Sequence, residues 1–154
     1  MLASLIAVTS TPDVGQQAMA LARRLERAND ALIAALERAP EVAWQAADAS
    51  QGWCALAEAR GIAEQLPVLA DFVEAIACSR PLPQLRSSAP RARGGKDETL
   101  ALLRRNGAAA ARILGGLSDE QLARGTSCFG TRLNAAQLAD ELLIAALDEH
   151  RAAI

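Results

Sequence analysis

Leu21, Leu25, Ala28, Leu32 and Leu36 recur at spacings of three and four, while Arg23, Arg24, Glu26, Arg27 and Glu37 fall off that stripe. This is the period of an amphipathic helix with one apolar face. It predicts a first helix from about Asp13 to Ala39, stopped by Pro40 because proline cannot continue the ladder. Leu56, Ile62, Leu66, Leu69, Val73 and Ile76 predict a second helix from near Trp53 to about Cys78. Pro67 lies inside it, so a kink is expected around the preceding turn, at about 3 kcal/mol if nothing relieves it.

A third helix is expected from Asp97 or Thr99 to Gly115-Gly116, where paired glycines read as a stop. Ser118-Asp119-Glu120-Gln121 reads as the capped start of one short turn, and Gly125 to Arg132 as a loop. The clearest start signal belongs to the fourth helix. Asn134 and Gln137 have capping-box spacing and Leu133 and Leu138 hydrophobic-staple spacing. That helix is expected to continue through Leu142, Leu143 and Leu147 to the C-terminus. No strand pattern and no internal repeat competes. The expectation is all-α: a single four-helix bundle domain over residues 1–154.

Composition supports close-packed helices. Of the 154 residues 51% are hydrophobic but only 3% aromatic, with no tyrosine, and alanine and leucine favour helices over strands. Residues 79–96 form the expected linker, a long crossover loop between helices two and three. It holds Pro81, Pro83, Pro90, Gly94 and Gly95, with five basic residues and no acid. A solvated loop accounts for that charge; docking of an anionic partner is the alternative. The overall net charge of −2 lacks the basic footprint of a nucleic-acid binder. Residues 1–12 are read as a flexible N-terminus, apolar at first but without the basic start of a signal peptide and too short to span a bilayer. Cys54, Cys78 and Cys128 are odd in number and lack C-x-x-C spacing. That argues against a disulfide framework or a structural zinc site and for reduced thiols in the cytoplasm, with no membrane association.

Two passages carry a resemblance. One is Gly52-Trp53-Cys54-Ala55-Leu56-Ala57-Glu58-Ala59-Arg60-Gly61-Ile62-Ala63-Glu64, the other Leu142 to Ile154 with Leu147-Asp148-Glu149-His150-Arg151 at its centre. Together with the helix order they resemble the DinB-like superfamily of bacterial four-helix bundles, which includes metalloenzymes and thiol-dependent transferases and isomerases. In that family the second helix opens with Gly-Trp-Ser and bears a histidine eight residues after the tryptophan. The fourth carries His-x-x-x-His, and the histidines converge on nickel, zinc or iron. Here eight residues beyond Trp53 stands Gly61, and four before His150 stands Ala146. His150, the single histidine of the chain, is the only retained ligand type. The resemblance therefore implies a degenerate metal site, with no metal or other cofactor expected.

Glu58, Glu64, Asp148 and Glu149 are the acids close enough in sequence to supplement His150, though a charged helix surface accounts for all four. One acid with His150 gives two ligands, fewer than the three a catalytic metal site takes from its protein. Positions 143, 146, 150 and 153 are expected on the inward side of helix four. Two truncated side chains, Gly61 and Ala146, then either leave a small pocket or are covered by Leu66, Leu142 and Leu143; covering is favoured because empty apolar volume destabilises. Trp53 and Cys54 complete the ligand-pocket candidates. Cys54 stands where a helix N-terminus lowers a thiol pKa, but a small buried hydrophobe is the simpler reading. Trp44 and Trp53 are read as core anchors. The functional expectation is a homodimeric or small-ligand-binding protein without catalytic metal. The alternative is a metal- or thiol-dependent hydrolase or transferase rebuilt around His150, using nickel, zinc or iron.

Overall fold

In the computed structural model of the chain, which describes residues 15–40, 44, 55–84, 95–128 and 130–154, the first apolar stripe forms α1 (Gln16–Arg38). Leu21, Leu25, Leu32 and Leu36 are buried along it. Its last carbonyls, which have no partner within the helix, receive a cation: Lys96 Nζ lies 2.9 Å from Glu37 O and 3.4 Å from Ala39 O. The same ammonium sits 5.8 Å from the centroid of the half-buried Trp44 ring, within cation–π range. Expectations for residues 1–12, Trp53, Cys54 and loop residues 85–94 lie outside the described residues.

The second helix, α2 (Ala55–Ala77), runs through Pro67 without a break. Proline has no N–H, so the carbonyl four residues earlier, that of Ala63, loses its helical donor. Ala63 is fully buried, and an unsatisfied carbonyl there would cost about 1–3 kcal/mol. Asn106, on α3 (Lys96–Gly115), supplies the missing donor from Nδ2 at 2.7 Å. This predicts a conditional effect. Asn106→Ala should destabilise the protein by about 1–3 kcal/mol, and by clearly less when Pro67 is also alanine and the helix bonds its own carbonyl. Equal losses in both backgrounds, measured by denaturant melts, would refute the pairing.

The helix α3 packs against both α1 and α2, burying Leu100, Leu103, Ala110, Ala111 and Leu114. It ends at Gly116 in right-handed geometry, not in the left-handed conformation that paired glycines often supply. The short α4 (Asp119–Ala123) opens with the expected cap, which is a full capping box: Gln121 N–H donates to Ser118 Oγ at 3.1 Å and Ser118 N–H to Gln121 Oε1 at 2.9 Å.

The segment read as a loop from Gly125 to Arg132 is instead a hairpin. Strand β1 (Gly125–Cys128) pairs antiparallel with β2 (Thr131–Asn134), in the register Gly125↔Asn134 to Cys128↔Thr131. Two residues connect them, and Gly130 takes φ +76, open to glycine without a Cβ penalty. Four-residue strands rich in Thr, Ser and Gly are too short to show alternation. The hairpin therefore escaped a search for period two.

The second capping box also forms, with Gln137 N–H donating to Asn134 Oδ1 at 2.8 Å and Asn134 N–H to Gln137 Oε1 at 2.9 Å. It starts a helical run of three parts: α5 (Ala135–Ala139), a π-helical turn (Asp140–Ala145) and α6 (Ala146–Ala152). Leu138 is buried and Leu133 packs against the core. The π turn corrects the expected inward face. Leu143 and His150 are buried as expected, but Leu147 is buried in place of Ala146, which is only half-buried, and Ala153 is exposed. A π turn takes one more residue per hydrogen-bonded ring, so everything after it is rotated by about 100°, one α-helical residue. The described residues are thus predominantly α-helical, with one small hairpin. No helix among them is long and apolar enough to cross a membrane.

Candidate functional site

His150 lies on the inward face of α6. At 7% exposure it is one of three buried polar residues among those described, and its Nδ1 lies 3.2 Å from Oε2 of Glu58. The two come from opposite helix ends. Glu58 stands in the first turn of α2, His150 in the last turn of α6, and the positive end of α2 suits a carboxylate. Of the four acids near the counted positions, only Glu58 reaches the imidazole; it is not merely charged surface. Glu64 accepts from Arg60 Nε at 3.2 Å, Asp148 lies 3.9 Å from Arg151 Nη2, and Glu149 is exposed.

Arg60 closes the flank of this helix end. Its Nη1 donates to Glu98 Oε2 on α3 at 3.1 Å. That bond to Glu98, opposed by desolvation and reinforced by Glu64, raises the guanidinium pKa above its ordinary value. Arg60 therefore stays charged and binds the two neighbouring carboxylates, leaving Glu58 to His150.

Gly61 lies one turn beyond Glu58 on the same side of α2, the i, i+3 relation. Apart from its chain neighbours and the backbone of its own helix, no described atom comes within 4 Å of where its Cβ would be. The expectation that Leu66, Leu142 and Leu143 cover this position is corrected. Leu66 and Leu143 are fully buried in the core, and neither reaches the space at Gly61 because the core lies on another side of each helix. Ala146, displaced by the π turn, sits at the flank of α6. Trp53 and Cys54 lie outside the described residues.

A carboxylate on Nδ1 holds an imidazole in one orientation, and in the neutral ring with its proton on Nδ1 the basic lone pair is on Nε2. Such a pair presents a carboxylate and an oriented imidazole to a polar ligand. Among the described residues no group of three or more His, Cys, Asp or Glu is placed to hold a metal ion. Cys78, a free half-buried thiol, accepts a hydrogen bond from Gln121 Nε2 at 3.5 Å.

Sequence reasoning missed Asn29. It lies on the apolar stripe of α1, four residues after Leu25, and that polar intrusion was the available signal. It is 4% exposed, and its Nδ2 donates to Leu103 O at 3.0 Å. Comparison with protein-family models, with curated proteins and with solved structures finds no match.

Proposed function

We propose that the chain is a DinB-like four-helix bundle that has lost its metal centre and acts as a homodimeric, small-ligand-binding protein of the cytoplasm. The observation that carries this reading is the pairing of buried His150 with Glu58 across α6 and α2, with Gly61 leaving the next turn of α2 open. A carboxylate beside a buried imidazole suits a small polar ligand. The α5–α6 run, with α1, α2 and α3, supplies the four helical elements of such a bundle.

A second reading is favoured by one specific contact. Metal-bound histidines commonly donate their other ring N–H to a carboxylate, and Glu58 stands at that position on His150. An enzyme rebuilt around this pair would need further ligands.

Metal analysis of protein purified without a histidine tag separates the two. The ligand-binding reading expects far less than one equivalent of nickel, zinc or iron. About one equivalent, lost on His150→Ala, would replace it with the enzyme reading. Light scattering after size exclusion should give twice the 16.1 kDa chain mass. A monomer at high concentration would remove the dimer.

A further inference from the structure

A cleft of about 300 Å³ lies between α6 and α1, away from the Glu58–His150 pair. Two helical stripes form its walls. Arg24, Arg27, Ala28 and Ala31 come from α1, and Ile144, Asp148 and Arg151 from the π turn and α6. Both sets have spacings of three and four, so each lies along one helix face. The floor is apolar: Ala28 and Ile144 are buried. The rim is cationic.

The charges are unevenly matched. Arg24 Nη2 is bound by Asp140 Oδ1 at 2.6 Å, and Arg151 Nη2 lies 3.9 Å from Asp148 Oδ1. The Arg27 side chain makes no hydrogen bond or ion pair with any described residue. Two carboxylates therefore answer three guanidinia, and one positive charge is left at the cleft. Guanidinium forks match carboxylates in geometry as well as charge. Ligand sites span about 300–1,000 Å³, and this one lies at the lower bound.

We propose that the α1–α6 cleft binds a small organic monocarboxylate. The carboxylate is forked by Arg27, and the apolar body rests on Ala28, Ala31 and Ile144. This site goes beyond the proposal for Glu58–His150, which faces α2, and neither depends on the other.

Benzoate is a suitable probe, titrated into the full-length chain and followed by amide NMR. Saturable shifts are expected in residues 24–31 and 144–151. Arg27→Gln should weaken binding by about tenfold or more, the effect of losing a charge-assisted hydrogen bond, while Arg23→Gln, an exposed neighbour off the cleft, should leave it unchanged. Benzyl alcohol, with the same ring and no charge, should bind about tenfold more weakly or worse. The proposal is overturned if benzoate gives no saturable shift in these segments, if Arg27→Gln binds it as well as the parent, or if the alcohol binds equally. Metal content moves none of these readouts, so this site fails or stands separately from the first.

Discussion

Gly107→Ala is expected to lower the unfolding free energy by about 1–4 kcal/mol, although alanine is the better helix former by about 1 kcal/mol. Gly107 is buried on α3 directly against Asn29 of α1. A Cβ built there would lie 2.3 Å from Asn29 Nδ2 and 2.7 Å from its Cγ. Helices usually avoid mid-helix glycine; here its absent side chain is the space that Asn29 occupies. The amide is short and enclosed, so it cannot yield without giving up its bond to Leu103 O. The alanine variant then combines overpacking with a broken buried hydrogen bond, each about 1–3 kcal/mol. At about 2–4 °C per kcal/mol for a domain of this size, the melting temperature should fall by several degrees. The decisive measurement is the same substitution in an Asn29→Ala background. With the amide gone the clash is gone, and Gly107→Ala should become neutral or stabilising through helix propensity alone. A loss of equal size in both backgrounds would mean that Asn29 is not what makes glycine necessary.

What the sequence made legible follows from how local each signal is. The helix starts capped at Ser118 and Asn134 involve residues three apart and formed where they were read. The leucine stripe of α1 needs only a helix period, and its bounds came within a few residues. Pro67 announced a freed carbonyl, but only the three-dimensional fold could show Asn106, 43 residues from Ala63, supplying its donor. Glu58 stood among four acids of equal standing, and selecting it required the packing of α6 against α2. The misplacement of Ala146 has one physical cause. Counting back four residues from His150 is sound within α6, but which residues of α6 face inward depends on the turn before it, where an α-helical phase was assumed.

The π turn can be tested as an inserted residue, and the largest contrast is expected between two single deletions. Counting about 100° per residue from Ala135, an unbroken α-helix would put Ile144 about 180° from it and Leu147 about 120° from it, at or beyond the edge of the core. Taking up one extra residue in the π turn brings them back to about 80° and 20°. This agrees with their burial at 5% and 0%. The same rotation carries Ala146 from the centre of that face to its flank and Ala153 out to solvent, while His150 stays within it. Removing Glu141, which is exposed, lets the segment close as ordinary α-helix with Leu143, Ile144, Leu147 and His150 still inward and Asp140 still facing Arg24. That variant should fold and keep its stability to within about 1–2 kcal/mol, the ordinary scale of a tolerated substitution. Removing Ala108, equally exposed but inside the regular helix α3, has no such slack. Everything from Ala109 onward turns by about 100°, Ala110, Ala111 and Leu114 leave the core, and each lost leucine alone costs about 1.5–3 kcal/mol. Against a typical total of about 5–15 kcal/mol, this deletion should leave the chain unfolded. Thermal melts by circular dichroism compare the two directly, and the single histidine gives a local readout: one imidazole resonance, shifted from its unfolded position and altered by Glu58→Gln in the Glu141 deletion as in the parent. If the Glu141 deletion unfolds, or loses that response while remaining helical, the π turn is not a one-residue insertion and the burial of Ile144 and Leu147 requires another cause.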